Sequence, residues 1–425
     1  MRILLLGSGG REHAFAWKLS QSPLCEKLFI APGNAGTSQH GTNLNFSAND
    51  FGAIKKCCID EKIDLVLVGP EEPLVKGITD FLISDPQLKD LDIIGPSKEA
   101  AQLEGSKAFA KAFMKKYKIP TAAYGEFTVD NYKDGVDYIN THGLPIVLKA
   151  DGLAAGKGVV ICENKLEALA EFELMIQRAK FGEASKKVVI EEFLQGIELS
   201  VFVLTDGKNY VLLPEAKDYK RVGEEDTGPN TGGMGAVSPV PFADEIFMKN
   251  VEDKVIRPTI EGLKAEGLEY RGFIFFGLMK IGDEPYMIEY NCRMGDPETE
   301  VVIPRLKNDF LEMLVAATKQ ELNKIKIEED ERFACTVMAV SGGYPGDYEK
   351  GYAIHGLDKV NKGSILFHAG TTVKDGKVLT NGGRVLCVTS FGNSIFDAVE
   401  SSKEELQNIS YTGMSYRRDI GYEFE

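Results

Sequence analysis

A chain of 425 residues is too long for one ordinary hydrophobic core, so two to four domains are expected. With 43% hydrophobic and 27% charged residues it has a globular composition, and no apolar run approaches the roughly 20 residues that a membrane span needs. The net charge of −15, spread along the chain without an acidic tail, argues against a nucleic-acid surface but leaves room for a local phosphate pocket.

The opening run MRILLLG is strand-like and too short for a signal peptide. Seven cysteines, an odd number with no CxxC pair, read as free thiols in a reducing cytosol, so a cytoplasmic protein is expected. Strands over Ile3–Leu6, Leu28–Ile30, Leu65–Val68 and Asp92–Ile94 alternate with helix-length segments at Glu12–Ser20, Asp50–Glu61 and Leu74–Ile83. This alternation predicts a parallel sheet with helices on both faces, and ligands bind such sheets beyond the carboxyl ends of the strands. The first such end is Gly7-Ser8-Gly9-Gly10-Arg11-Glu12-His13, opening a helix whose N–H groups attract phosphate. It fails as a dinucleotide fingerprint, because Glu12 stands where the third glycine belongs and Ala31-Pro32 where a ribose-binding acid belongs. A tight turn without a ligand remains open for it. Arg11 contacts phosphate or substrate if the loop is a site, and His13 reads as an ordinary helical residue.

A helical stretch, Ser97–Tyr117, leads to a boundary at Ile119-Pro120. An αβ unit follows: strand Ile146–Lys149, a glycine loop, strand Val159–Cys162, helix Leu166–Arg178 and strand Lys187–Phe193. The loop carries Lys149, Gly152, Gly156, Lys157 and Gly158, a flap suited to a triphosphate, or else a simple glycine hairpin. It is no Walker loop, lacking one spacer residue and the hydroxyl after the lysine. Glu191-Glu192-Phe193-Leu194 ends its strand, with Glu198 in the next; this is an adenine edge with a ribose carboxylate, or a common acidic strand end. Further strands are read at Ile197–Leu204, Tyr210–Pro214, Gly272–Lys280 and Pro285–Asn291. The run Asp226–Ala236 packs four glycines and a proline into what reads as a loop burying little apolar surface, either disordered or wrapped round a ligand. Its low charge favours wrapping.

In Met287–Arg293 a period of two puts Glu289, Asn291 and Arg293 on one face and Ile288, Tyr290 and Cys292 on the other. The carboxylate and amide are hard ligands suited to magnesium, and the arginine can stabilise a transferring phosphoryl group. A solvated polar face gives the same alternation, but Arg-Met-Gly-Asp-Pro-Glu-Thr-Glu is an unusual strand end. Lys324–Arg332 reads as a linker, followed by strands at Ala334–Val340, Ser364–His368 and Arg384–Thr389 and a helix near Ser394–Glu405.

GSGGREHA, APGNAG, LVGPEEPL, LKADGLAAGKGVV, GPNTGGMGA and IEYNCRMGDPETE occur in the order seen in the phosphoribosylamine–glycine ligases of the ATP-grasp superfamily, which the chain resembles over nearly its whole length. Met294 departs from the usual phenylalanine, a change expected to affect packing and not chemistry. The resemblance implies an N-terminal Rossmann-like parallel α/β domain over 1–105, an ATP-grasp domain over 106–325 with a lid at about 121–193, and a small β-rich C-terminal domain over 326–425. It implies ATP held by Lys107, Lys149, Gly156, Lys157, Gly158, Glu191, Glu192, Phe193, Leu194 and Glu198. It places Mg2+ or Mn2+ on Glu289 and Asn291. Gly272–Lys280 holds no acid, so any second metal leans on Glu289 or on waters and phosphates. Arg293, Lys149 and Asp296 are the implied catalytic residues. Glycine and 5-phosphoribosylamine are the implied substrates, near Gly9, Gly10, Arg11, Gly33, Asn34, Asp218, Lys220, Asn230, Gly232, Gly233, Arg293, Asp296, Pro297, Glu298 and Thr299. A monomer without nucleic-acid or membrane partners, and without a fused later domain, is the further expectation. An NAD-dependent oxidoreductase and an inactive ATP-binding regulator are the rivals; Glu12 counts against the first and the retained Glu289, Asn291, Arg293 and flap lysines against the second.

Overall fold

Ile3, Leu4, Leu5 and Leu6 are all fully buried, because their strand, β1 (Arg2–Gly7), lies at the centre of a sheet covered on both faces. In the computed structural model, which describes residues 1–153 and 158–424, α1 (Gly10–Leu19) leads from β1 to β2 (Lys27–Pro32). Then come β3 (Thr42–Asn43), α2 (Phe51–Asp60), β4 (Leu65–Val68), α3 (Glu71–Lys76), α4 (Ile78–Ile83) and β5 (Asp92–Ile94). These five strands pair in parallel in the order β3-β2-β1-β4-β5, the expected sheet. The helix read over Leu74–Ile83 is two helices, because Gly77 at φ +90° ends the first with a left-handed turn. The stretch Ser97–Tyr117 also breaks. Its pieces, α5 (Gln102–Gly105) and α6 (Lys107–Lys116), meet at an extended Ser106 whose hydroxyl accepts from the Phe109 N–H at 3.1 Å and caps the second.

The αβ unit comprises β6 (Tyr124–Thr128), α7 (Tyr132–Thr141), β7 (Ile146–Ala150), β8 (Val159–Cys162), α8 (Lys165–Ile176) and β9 (Lys187–Glu192). Its antiparallel sheet, β6-β9-β7-β8, has a core of its own around Phe127, Ile139 and Phe172. Next follow β10 (Ile197–Thr205), β11 (Tyr210–Leu212), β12 (Lys217–Asp218), β13 (Arg221–Gly223), β14 (Thr227–Asn230), β15 (Gly235–Ser238), α9 (Glu245–Val251) and α10 (Arg257–Ala265). The segment closes with β16 (Gly272–Ile281), β17 (Glu284–Asn291), α11 (Thr299–Arg305) and α12 (Phe310–Thr318), and its main sheet is antiparallel β11-β10-β16-β17. The last part adds β18 (Phe333–Val340), β19 (Ile365–His368), β20 (Thr371–Lys374), β21 (Lys377–Thr380), β22 (Arg384–Gly392) and α13 (Ile395–Leu406).

The sheet of this last part has the order β12-β15-β18-β22-β19, so two of its strands come from the middle of the chain. That corrects the reading of Asp226–Ala236 as a loop with little buried surface. Within it β14 forms a hairpin with β13, Met234 is buried against Met338, Val340 and Phe367, and Gly235 opens a fully buried strand. Among the described residues no helix is long and apolar enough to cross a membrane.

The N-terminal sheet and the large antiparallel sheet share one core. Phe15 of α1 stacks on Phe273 of β16 and Phe310 of α12, with centroids 5.8 and 5.5 Å apart. Phe15→Ala is expected to lower stability by about 3–5 kcal/mol through the cavity it leaves. Equilibrium denaturation measures this, and a loss under about 1 kcal/mol would show that the two sheets do not depend on this contact.

Candidate active site

A bulge between β16 and β17 pairs Leu278 with Met287 and then Gly277 with Glu289, which leaves Ile288 as the extra residue. The expected alternation therefore fails at Ile288. Met287, Tyr290 and Cys292 enter the core, while Ile288 is half-buried and its carbonyl accepts from Lys149 Nζ at 3.4 Å. Glu289 and Asn291 flank the buried Tyr290 and stand across from Gly277 and Phe275, so β16 supplies no acid there. Among the described residues no protein group hydrogen-bonds the Glu289 carboxylate or the Asn291 amide. Two hard oxygen donors that no protein group hydrogen-bonds among the described residues suit a divalent cation that completes its shell with water and phosphate oxygens. Among the same residues no group of three or more His, Cys, Asp or Glu is placed to hold a metal.

Arg293 follows at the junction of the two sheets. Its Nη2 lies 3.0 Å from Glu104 Oε1, its Nε 3.3 Å from Glu71 Oε2, and its Nη1 donates to the Met294 carbonyl at 3.2 Å. Burial raises the Glu71 carboxyl, but Arg293 and then Arg11 outweigh it and hold it at about 2. For Glu104 burial wins and the carboxyl is pushed up to about 7. The Met294 side chain itself is fully buried in the shared core, in keeping with a packing role.

The αβ unit meets α6 at a second charged seam. Lys149 Nζ is 2.9 Å and Lys111 Nζ 3.1 Å from Glu191 Oε2, all three buried, while Glu191 Oε1 is buried without a hydrogen-bond partner. Lys107 Nζ donates to the Gly152 carbonyl at 3.3 Å, and Gly158 accepts from the Ala150 N–H at 2.8 Å. Gly156 and Lys157 lie outside the described residues. Glu192 Oε1 accepts from the Ala123 N–H at 2.9 Å, Phe193 is exposed and Leu194 half-buried.

Glycines of the first loop admit carboxylates from the protein itself. A Cβ at Gly7 or Gly69 would overlap Glu12, one at Gly9 would meet Asp296 and Glu12, and one at Gly10 would overlap Glu300. Glu12 Oε2 accepts from the Gly9 N–H at 2.6 Å and Asp296 Oδ2 from the Arg11 N–H at 3.2 Å, so the start of α1 already has anionic partners. The Arg11 side chain is buried, with Nε donating to Glu12 Oε1 at 2.6 Å and Nη1 to the Met294 carbonyl at 3.0 Å. Asn34 is likewise spent on structure. Its amide N–H groups donate to the carbonyls of Ser8 and His368 at 2.9 and 2.8 Å, and its oxygen accepts from Gly36 and Thr37. Gly33 takes φ +71° and donates to the Gly7 carbonyl at 3.0 Å. His13 is buried and accepts through Nδ1 from the His368 N–H at 2.7 Å, which fits a helical residue with no free role.

Toward the other end, Lys220 Nζ donates to Glu198 Oε2 at 2.7 Å, and Ser200 Oγ to Glu298 Oε1 at 3.2 Å. Burial and then Asp218 push the Glu298 carboxyl up to about 7. Arg384, from β22, was not anticipated. Its Nη1 donates to the carbonyls of Gly232 at 2.8 Å and Asp296 at 2.6 Å, and its Nη2 lies 2.9 Å from Asp296 Oδ1. Gly233, at φ +120°, lets Pro297 pack against its backbone, and the Thr299 hydroxyl donates to the Gly295 carbonyl. Asn230 ends β14 opposite Arg221. Glu71, Glu104, Lys111, Glu300 and Arg384 were missed; Glu71 lies in LVGPEEPL and Glu300 in IEYNCRMGDPETE, but nothing local marks Glu71 or Glu104 as partners of Arg293.

The architecture recurs in proteins of low sequence identity. The biotin carboxylase domain of 2-oxoglutarate carboxylase from Hydrogenobacter thermophilus, solved with the magnesium salt of ADP, aligns at TM-score 0.72 and 15% identity over 97% of this chain and 91% of its own. That likeness is one of fold, and the matching of residues 105–299 to the ATP-grasp (A) domain of phosphoribosylglycinamide synthetase makes the protein an ATP-grasp protein. The N domain of the same synthetase matches residues 1–104 and its C domain residues 334–423. A phosphoribosylamine–glycine ligase from Thermotoga maritima aligns at TM-score 0.82 and 37% identity over 99% of this chain and 100% of its own. Phosphoribosylamine–glycine ligases of Haemophilus influenzae and Escherichia coli are 47% and 46% identical, each over 99% of this chain and 98% of its own. The chain belongs to the phosphoribosylglycinamide synthetase family.

Two consequences can be measured. Gly10→Ala drives a methyl into the fully buried Glu300 and should cost about 1–3 kcal/mol, with Glu300→Ala recovering part of it in a double-mutant cycle; simple additivity would contradict the contact. The folded Glu298 carboxyl, at about 7, keeps a proton that an unfolded glutamate with the ordinary 4.5 gives up. Its contribution to stability therefore falls as pH rises from 4.5 through 7. Glu298→Gln should raise the stability of the ligand-free protein at pH 8 by about 1 kcal/mol or more, the gain vanishing near pH 4.5; a pH-independent difference would refute this.

Proposed function

We propose that this protein joins glycine to 5-phosphoribosylamine at the expense of ATP, giving glycinamide ribonucleotide, ADP and phosphate in purine biosynthesis. Membership of the synthetase family supports the reaction, and the observation that carries the site is the Glu289–Asn291 pair, not hydrogen-bonded by any described protein group, on the strand that leads into Arg293. Adenine lies against Glu191–Leu194, at the end of β9. Glu198 takes the ribose, and Lys107, Lys149, Gly158, Gly156 and Lys157 the phosphates. Mg2+, with Mn2+ as substitute, withdraws charge from the phosphates when held by Glu289 and Asn291.

A carboxylate oxygen of glycine attacks the γ-phosphorus, the bond to ADP breaks, and Arg293 steadies the equatorial oxygens of the transferring group. The phosphoribosylamine nitrogen then attacks the acyl carbon of glycyl phosphate; a C–N bond forms, phosphate leaves and the nitrogen gives up a proton. Lid closure keeps water from the acyl phosphate. Asp296, Pro297, Glu298, Thr299, Asp218 and Lys220 surround the phosphoribosylamine with Asn230, Gly232 and Gly233. Gly9, Gly10 and Gly33 present backbone to it, while Arg11 and Asn34 hold that backbone in place. The working unit is a single cytoplasmic chain built of the units 1–105, 106–325 and 326–425, with a lid at about 121–193.

ADP release that requires both glycine and phosphoribosylamine, made in the assay from ribose 5-phosphate and ammonia, is the expected result. Glu289→Gln should lower kcat by about 100-fold or more. ATP hydrolysis indifferent to either co-substrate would refute the reaction, and an unchanged kcat in Glu289→Gln would refute the site.

A further inference from the structure

Arg293 can steady a transferring group only if its guanidinium is held still, and the structure shows what holds it. Glu104 closes α5 with its side chain buried. One carboxylate oxygen, Oε2, accepts from the Cys292 N–H at 2.7 Å; the other, Oε1, lies 3.0 Å from Arg293 Nη2. The pairing of β17 with β16 stops at Asn291, so the Cys292 N–H has no strand partner and would otherwise be a buried, unsatisfied donor. The two contacts thus fall on consecutive residues, one fixing the backbone where the strand ends and the other the side chain that follows. Cys292 Sγ also lies 3.8 Å from the Ala101 carbonyl, so the turn before α5 packs directly on this strand end.

A guanidinium has five N–H donors in one plane. Here Nε donates to Glu71, one Nη1 proton goes to the Met294 carbonyl and Nη2 is ion-paired with Glu104, which leaves donors on both terminal nitrogens without a hydrogen bond among the described residues. With the plane held by two hydrogen bonds and one ion pair, the direction of the remaining donors is held as well. We propose that Glu104 is a positioning residue: it sets the plane and direction of the Arg293 guanidinium, so that preoriented donors meet the transferring phosphoryl group. Glu71, more exposed and farther from the guanidinium, is the lesser support. This inference rests on the reading of Arg293 given above.

The test is a kinetic cycle on the full-length protein. Glu104→Gln keeps the size of the side chain but replaces one oxygen with a donor, so it cannot serve Cys292 and Arg293 together. Its kcat is expected to fall by about tenfold to 100-fold, the range that a small misplacement of a reacting group produces. KM for ATP and the dissociation constant of ATP should change less than about twofold, since the ground-state contacts are untouched. In an Arg293→Ala background the same substitution should leave kcat unchanged. Equal falls in both backgrounds would show that Glu104 acts independently of Arg293, and an unaltered kcat in Glu104→Gln would show that it does not act at all. Either result overturns the proposal. If Arg293→Ala itself keeps full kcat, the reading of Arg293 fails, and the inference with it, while the Glu289→Gln assay still judges the reaction separately. Should Glu104→Gln not fold, guanidinium rescue decides: millimolar guanidinium should restore part of the Arg293→Ala activity, and should not do so once Glu104 is replaced by Asp, whose shorter arm does not reach.

Discussion

A guanidinium withdrawn from water must be neutralised where it stands, and Arg293 is withdrawn at the junction of the parallel and antiparallel sheets. Its compensation comes from pieces of chain far apart in sequence: Glu71 after β4, Glu104 at the end of α5 and the Met294 carbonyl beside it. Arg11 reaches the same carbonyl from α1, so the N-terminal sheet and the strand carrying Glu289 and Asn291 are tied at one point. The stacked Phe15, Phe273 and Phe310 supply the apolar side of that junction.

The glycine-rich segments serve the same economy of space. Glycines at a helix start admit an incoming phosphate; in this protein those at positions 7, 9, 10 and 69 also admit Glu12, Asp296 and Glu300. Glu300 is fully buried with neither oxygen hydrogen-bonded, and burial followed by Asp296 raises its carboxyl well above the usual range. A neutral acid there avoids a third negative charge beside Asp296. Arg384 extends the arrangement into the last sheet, whose β12 and β15 come from the middle of the chain. The C-terminal part is thus built into the wall of the site.

The contact between the αβ unit and α6 follows a parallel logic with the signs exchanged. Two buried lysines, Lys111 and Lys149, share Glu191, and burial lowers Lys111 to about 8 in spite of that partner. The Asp151 carboxylate accepts from the Ser106 hydroxyl and the Ala108 N–H at 3.0 and 2.8 Å, so the base of the flap is fastened to the start of α6. Lys107, on that helix, then reaches the Gly152 carbonyl. Lysine side chains at the base of the αβ unit are thus held by the fold itself.

By itself the sequence determined the strands whose both faces are apolar, the glycine turns, and the local pair Glu289–Asn291, because each of these depends on neighbours within a few residues. Ile3–Leu6 and Leu65–Val68 were legible for that reason, and so was the order of the motifs that marks the family. The bulge at Ile288 was not, since it arises from pairing with Leu278 and Gly277 on another strand. Nor was the strand character of Thr227–Asn230 and Gly235–Ser238, which comes from partners at Arg221–Gly223 and in β18. Glu71, Glu104 and Arg384 carry no local signal, because an isolated charged residue reads as solvated until the fold places an opposite charge against it and removes the water. Tertiary structure alone decided that Arg11 and Asn34 are spent on holding the loop, and that Arg293 is held by Glu71, Glu104 and the Met294 carbonyl. Hydrogen-bond capacity and burial are properties of the assembled neighbourhood, and no spacing along the chain encodes them.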